Sequence, residues 1–156
     1  MGSWFSKEKQ GDLIEIDRYG YKHWALYAGY GYVIHLAPAS GFSTADSLKI
    51  NPTFTTKGKV RKELLKDVAR GQGYRVNNKW DGLYKPLPVN KIISSANKKL
   101  GEEAEYNILM KNCEHFVTEL RYGKARSLQT TQQQGRPLRW TKDWGHYDVS
   151  LWVHRL

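Results

Sequence analysis

The sequence predicts an α+β fold in which an antiparallel sheet packs against helices. Three observations carry that expectation. Short strand-like runs joined by tight turns crowd the segment up to Leu36, an apolar stripe at helical spacing follows Pro88, and a second helical segment opens at Asn112 and closes at Gly123.

The first strand is expected over 12–17, Asp-Leu-Ile-Glu-Ile-Asp, where apolar and charged residues alternate at the two-residue period of a half-buried strand. Gly20 marks a turn, and His23 to Ala28 (His-Trp-Ala-Leu-Tyr-Ala) makes a second strand. Gly29-Tyr30-Gly31 is a hairpin signal leading into a third, Tyr32 to Leu36. A hairpin closed at 29–31 sets His23 and His35 at about the same height, because each lies six residues from Gly29. Paired strands run about 5 Å apart, so the two imidazoles are expected at one end of the sheet. Residues 37–58, with Pro38, Gly41 and Pro52 among Ser and Thr, read as a loop. The segment 59–71 is left open between helix and strand: Val60, Leu64, Leu65 and Val68 have helical spacing, yet further strands would be useful there. Pro86 and Pro88 close an irregular stretch. Val89, Ile92, Ile93, Ala96 and Leu100 then form an apolar helical stripe stopped by Gly101. Asn112 is the expected N-cap of a helix through Cys113 to Leu120, ended by Gly123.

The chain has 156 residues, 40% of them hydrophobic, which suits one soluble domain with a modest core of its own. The single cysteine excludes an intrachain disulfide and suits a reducing, cytoplasmic setting, where a lone thiol is either a small buried side chain or a nucleophile. A net charge of +10 favours anionic partners such as phospholipid head groups, nucleic acid or acidic proteins. The charge is diffuse, without a run of five or more basic residues, which is the ordinary pattern of a solvated surface. No stretch approaches the ~20 apolar residues that cross a bilayer, and the N-terminus lacks the apolar core of a signal peptide. Residues 1–6 fit the short Met-Gly-x-x-x-Ser pattern of myristoylation, which bulky Trp4 and Phe5 disfavour; residues 1–9 read as an extension.

Cys113 falls in the first turn of its helix. Partial positive charge and free backbone N–H groups there favour a thiolate and can hydrogen-bond an oxyanion. A nearby imidazole would take the thiol proton and later return it to a leaving group. His23 is the expected base and His35 the residue that orients or polarises it, the part a carboxylate or amide plays in other triads. A zinc site built from His23, His35, Cys113 and His115 has suitable ligand types. Against it, His115 lies two residues beyond Cys113 and so points roughly 200° away around the helix.

Several runs then become recognisable: Gly11-Asp-Leu-Ile-Glu-Ile, His23-Trp-Ala-Leu-Tyr, Tyr32-Val-Ile-His-Leu-Ala-Pro38, Tyr74-Arg-Val-Asn-Asn78, and above all Asn112-Cys-Glu-His-Phe-Val-Thr-Glu-Leu-Arg-Tyr-Gly123. Over about residues 10–129 the chain resembles the phospholipase A/acyltransferase family, small relatives of lecithin retinol acyltransferase within the NlpC-type papain-like superfamily. The resemblance implies a circularly permuted papain-like fold, in which the histidine-bearing sheet precedes the cysteine helix. It implies Cys113 as nucleophile, His23 as base and His35 as third member, with Arg18, Tyr21 and Asn112 in substrate or oxyanion roles. The implied reaction needs no metal or cofactor. Cys113 attacks a glycerophospholipid ester, a lysophospholipid leaves, and water, an amine or a lysolipid takes the acyl chain from the thioester.

The chain departs from the family at Asp17-Arg18-Tyr19, at Gly29-Tyr30-Gly31, and most of all beyond Thr130. There the family has a membrane helix, whereas this sequence runs on to Leu156 as a polar tail carrying Trp140, Trp144 and Trp152. The expected protein is therefore cytoplasmic and peripheral to membranes. The trio of Cys113, His23 and His35 also resembles that of the H-box/NC-box type of picornaviral 2A protein, and a soluble, basic, tail-altered copy of this kind would be a virally captured version. Its rival reading is a non-enzymatic module that uses the basic surface and the Arg136, Arg139, Trp140, Lys142, Trp144 segment to bind protein, membrane or RNA, Trp stacking on unpaired bases. Residues 147–153 alternate with strand spacing and are expected to pack as an extended segment.

Overall fold

The computed structural model describes residues 7–39, 56–107 and 112–124. The expectations for the first six residues, for most of the 37–58 loop and for the Trp-rich tail lie outside the described residues. Among the described residues the strands are β1 (Leu13–Arg18), β2 (Tyr21–Gly29), β3 (Tyr32–Pro38), β4 (Thr56–Leu64), β5 (Tyr74–Val76) and β6 (Glu103–Tyr106). Three α-helices accompany them, α1 (Leu65–Ala69), α2 (Val89–Lys98) and α3 (Asn112–Tyr122), with a 3₁₀ turn over Lys79–Gly82. The strands form one antiparallel sheet in the order β5-β1-β2-β3-β4-β6. The α+β architecture is thus as expected, and the strands bearing His23 and His35 precede the helix bearing Cys113.

Because side chains alternate across a strand, the sheet has two apolar faces. On one, Leu13, Trp24, Leu26, Ile34, Leu36 and Val60 pack with Ile92 and Ala96 of α2 and with Cys113, Phe116, Val117 and Leu120 of α3. On the other, Ile14, Ile16, Ala25 and Val33 pack with Leu65, Val68 and Ala69 of α1. His23 pairs with Ile16 and so belongs, by alternation, to the α1 face.

Segment 59–71 divides at Leu64, with strand before it and helix after. Lys57, Lys59, Arg61 and Glu63 alternate with Gly58, Val60, Lys62 and Leu64, and β4 takes its backbone partners from β3 and β6. The apparent helical spacing arises because Val60 and Leu64 of the strand run straight into Leu65 and Val68 of α1. The expected loop is shorter at both ends, since β3 continues to Pro38 and β4 begins at Thr56. Helix α2 follows the apolar stripe; Gly101 at φ +87° then turns the chain, its N–H bonded to the Val60 carbonyl at 2.9 Å. Gly123 at φ +82° ends α3 and donates to the Glu119 carbonyl at 2.8 Å, a left-handed closure that glycine allows at little steric cost.

The hairpin between β2 and β3 corrects one expectation. Gly29, Tyr30 and Gly31 all have positive φ, and a bulge shifts the register between Tyr27 and Gly29. The pairing runs Tyr27↔Val33 and Leu26↔Ile34. One further rung would put His35 opposite Ala25, so the histidines are diagonal neighbours and not level partners. Diagonal pairs on one face still lie within reach of ring side chains.

Gly58 is where β6 comes closest to β4. A Cβ there would sit 3.0 Å from both the Ala104 carbonyl oxygen and Tyr106 Cβ, and 3.3 Å from the Ala37 carbonyl oxygen. Gly58→Val should therefore cost about 1–3 kcal/mol, the usual size of an overpacking penalty. Gly82→Ala, where a Cβ meets nothing within 4 Å, should stay within about 0.5 kcal/mol. Urea midpoints of the two variants measure the difference.

Candidate active site

The β2–β3 ladder ends at Leu26↔Ile34, so the first residues of β2 and the last of β3 lie beyond it. His23 and His35 meet in that region. His23 Nε2 is 2.8 Å from His35 Nδ1, and the rings stand edge to face at 72° with centroids 5.1 Å apart. His35 Nε2 is in turn 2.9 Å from Glu63 Oε2 on β4, an oxygen that Arg61 Nε also approaches at 3.1 Å. On its other side, His23 Nδ1 is 3.4 Å from the Tyr106 hydroxyl on β6. Both imidazoles are fully buried.

Cys113 is almost fully buried at the start of α3. Its sulfur accepts a backbone N–H from Trp24, the residue that follows His23 on β2, and backbone N–H groups of Cys113 and Glu114 also favour the thiolate. Burial outweighs them and pushes the thiol up to about 12, so Cys113 is protonated at rest. This reverses the expectation of a thiolate favoured at the helix start: the helix contributes N–H groups, but their effect is smaller than the desolvation. His23 is held well below the ordinary imidazole range, by burial first and then by His35 and Arg18. His35 is also lowered, burial prevailing over the Glu63 carboxylate. Glu63 itself is brought down to about 2, chiefly by its hydrogen bond from His35. The resting site therefore holds a neutral thiol, two neutral imidazoles and one ionised carboxylate.

The remaining expected site residues fall around this group. Burial raises the hydroxyl pKa of both Tyr21 and Tyr106, and a thiolate at Cys113 would raise both further. Arg18 is buried, with Nη2 donating to the Val68 carbonyl at 2.6 Å and Nη1 to Gln72 Oε1 at 2.5 Å, so its fork binds the end of α1. Its charge reaches Tyr21, Tyr106 and both histidines. The Asn112 amide oxygen accepts the Asn107 N–H at 3.2 Å and its amide nitrogen donates to the Glu105 carbonyl, tying β6 to α3. His115 is buried within α3, and among the described residues no three His, Cys, Asp or Glu side chains converge as a metal-binding group. Glu63 and Tyr106 escaped the reading of the sequence. Tyr106 follows an alternating Glu-Ala-Glu run that could have marked a strand. Nothing near Glu63 points to His35, which precedes it by 28 residues.

A fold of this order, with paired histidines on the sheet and a cysteine opening the later helix, defines a class that comparison with known proteins also identifies. Residues 6–126 match the family model of lecithin retinol acyltransferase, and the chain belongs to that family. Among individual relatives, human phospholipase A and acyltransferase 2 is 53% identical over 125 residues, covering 80% of this chain and 77% of its own length. Human phospholipase A and acyltransferase 4 is 52% identical over 129 residues, 83% of this chain and 79% of its own. Mouse phospholipase A and acyltransferase 3 is 54% identical over 121 residues, 78% of this chain and 75% of its own.

The buried, neutral histidines give stability a definite pH dependence. Their folded pKa lies below the unfolded value of 6.5, so the unfolded chain binds more protons and stability falls as pH drops through 6.5. Glu63 adds to the loss lower down, between its unfolded value of 4.5 and its folded value of about 2. The melting temperature should decline once pH falls below 6.5, and more shallowly in His23→Asn, which has one fewer buried imidazole to charge. Calorimetry across that interval reads both slopes.

Proposed function

We propose that the protein is a phospholipid acyl hydrolase and acyltransferase working through a cysteine thioester, with Cys113 as nucleophile, His23 as base and His35 as its orienting partner. The observation that carries this reading is the pairing of His23 with His35 beside a strand whose next residue, Trp24, hydrogen-bonds the Cys113 sulfur. The names of the relatives, phospholipase A and acyltransferase, supply the substrate class.

With a protonated thiol and a neutral base at rest, the proton moves as the sulfur attacks. Cys113 Sγ bonds to the ester carbonyl carbon while its proton passes to His23, and the carbonyl oxygen becomes an oxyanion. We assign the backbone N–H groups at the start of α3 and the Tyr21 hydroxyl, which is electrostatically linked to Cys113, to receive that charge. The carbon–oxygen bond to the glycerol then breaks, His23 returns the proton to the leaving alkoxide, and a lysophospholipid departs. Water, an amine or a lysolipid next attacks the thioester with His23 again taking its proton. The residues supply nucleophile, base and oxyanion donors from the chain itself, so we propose a reaction that needs no metal or cofactor.

Among the described residues no helix is long and apolar enough to cross a membrane. We infer that the protein meets lipid peripherally, in the cytoplasm, through the net charge of +10 that the whole sequence carries.

Cys113→Ala should abolish release of fatty acid and lysolipid from phosphatidylcholine vesicles. His23→Ala should slow it by roughly 10²–10⁴-fold, the usual worth of a positioned base. Release by Cys113→Ala at the wild-type rate would show that another group attacks the ester. Vesicle binding should need anionic lipid and weaken with salt, since exposed charges are screened over ~8 Å at physiological ionic strength. Co-sedimentation at low and high salt checks it, and tight salt-resistant binding to neutral vesicles would refute a charge-driven encounter.

A further inference from the structure

We propose that Glu63 is a positioning residue that sets which nitrogen of His23 is the base, acting through His35. The proposal rests on His23 serving as base, and it concerns a side chain to which neither the sequence nor the relatives assign a part.

The inference follows from donor and acceptor bookkeeping along three contacts. A carboxylate only accepts hydrogen bonds, so at 2.9 Å from Glu63 Oε2 the His35 Nε2 must carry the hydrogen. A neutral imidazole has one N–H, which leaves His35 Nδ1 with its lone pair. His23 Nε2, 2.8 Å from that lone pair, must then donate. The proton-accepting atom of His23 is consequently Nδ1, the nitrogen that faces Tyr106 O at 3.4 Å, and Tyr106 belongs to the same packed cluster as Cys113. Each step permits one tautomer, and the only fixed charge in the sequence is at Glu63.

Without the carboxylate this ordering is lost. His35 could then carry its hydrogen on Nδ1, donate to His23 Nε2 and force the His23 hydrogen onto Nδ1, where it blocks proton uptake from the thiol. The two arrangements keep the same ring contacts and differ only in where two hydrogens sit. Arg61, whose Nε donates to the same Glu63 Oε2 at 3.1 Å and whose Nη1 donates to the Ala39 carbonyl at 3.3 Å, helps hold the carboxylate in place. Glu63 is one-third exposed at its side chain while His35 is fully buried, so a charge held near the surface orders the hydrogens of a buried site that could not hold a charge easily.

Glu63→Met and Glu63→Gln separate this role from simple packing. Both preserve the length of the side chain, but only the glutamine oxygen can still accept the His35 Nε2 hydrogen. Imidazole nitrogen shifts of ¹⁵N-histidine-labelled protein, read by long-range ¹H–¹⁵N correlation, report the tautomer directly and do not depend on turnover. Wild type should show His23 and His35 both protonated at Nε2, and Glu63→Gln should keep that state. Glu63→Met should show Nδ1–H character at His23 and a kcat on phosphatidylcholine vesicles lower by roughly tenfold or more, part of what a positioned base supplies, with KM little changed. Glutamine should recover most of that rate. An unchanged His23 tautomer in Glu63→Met would overturn the proposal even if Cys113-dependent turnover were intact. The expected tautomers in wild type and in Glu63→Met, in a protein that shows no Cys113-dependent turnover, would leave the proton ordering standing and sink the catalytic reading instead.

Discussion

The site depends on the point at which β2 parts from β3. Where the ladder holds, from Gly29↔Tyr32 to Leu26↔Ile34, backbone groups pair and side chains go strictly to one face or the other. Beyond it the two apolar faces of the sheet are no longer sealed from each other. His23 belongs by alternation to the face covered by α1, and Tyr106 to the face covered by α3, yet Tyr106 O lies 3.4 Å from His23 Nδ1. The Trp24 N–H likewise turns to the Cys113 sulfur. A continuous ladder would have used such groups to close the sheet. Its absence lets Tyr106 from one layer meet His23 from the other.

Burial then decides the kind of chemistry available. A cysteine at the first turn of a helix invites the picture of a standing thiolate, but desolvation of a nearly fully buried sulfur is larger than the help from nearby N–H groups, and the thiol rises to about 12. The same burial keeps both imidazoles neutral. A neutral pair costs little to keep in an apolar pocket, whereas a thiolate–imidazolium pair would need its charges compensated there. The backbone donors at the sulfur are in place in the resting site, as the proposed attack on an ester carbonyl requires. The sole standing carboxylate of the group, Glu63, sits at the partly exposed end of the chain of contacts, where solvent and Arg61 share its charge.

Local patterns carried much of this into the sequence. The strands over 12–17, 23–28 and 32–36, the stripe from Val89 to Ala96 and the helix from Asn112 each rest on residues that are neighbours in the chain, and each appears within a few residues of where the periodicity puts it. The histidine pair was legible for the same reason, since a hairpin joins its two strands. The level pairing was not what formed, because three successive positive-φ residues at 29–31 bulge the turn and shift the register. β4 was ambiguous because Lys57, Lys59, Arg61 and Glu63 lie where a buried strand face would be apolar, and only its neighbours β3 and β6 define it. Glu63 in particular carries no mark of its own; its meaning comes from a non-local contact that sequence spacing does not encode.

The residues flanking Cys113 show how a thiol held by so few direct contacts is kept in place. The Asn112 amide ties the start of α3 to β6 through Glu105 and Asn107. Glu114 faces Lys79 at 3.5 Å, and the Lys79 ammonium lies 5.1 Å from the Trp24 ring, so the next residue is linked back to the strand whose N–H meets the sulfur. Phe116 and Val117 bury in the core one turn later. At the far end Arg121 clasps Asp81 through two nitrogens, at 3.1 and 2.8 Å, and donates to the Gly11 carbonyl at 2.8 Å, while the Tyr122 hydroxyl donates to the same aspartate at 2.6 Å. The helix is fixed against sliding along its axis by the Asp81 clasp and against rotating about it by Asn112 and Glu114. An error of about 1 Å in the position of a reacting atom can cost 10²-fold in rate. The residues around the cysteine therefore matter for where they hold it as much as for the N–H groups they lend it.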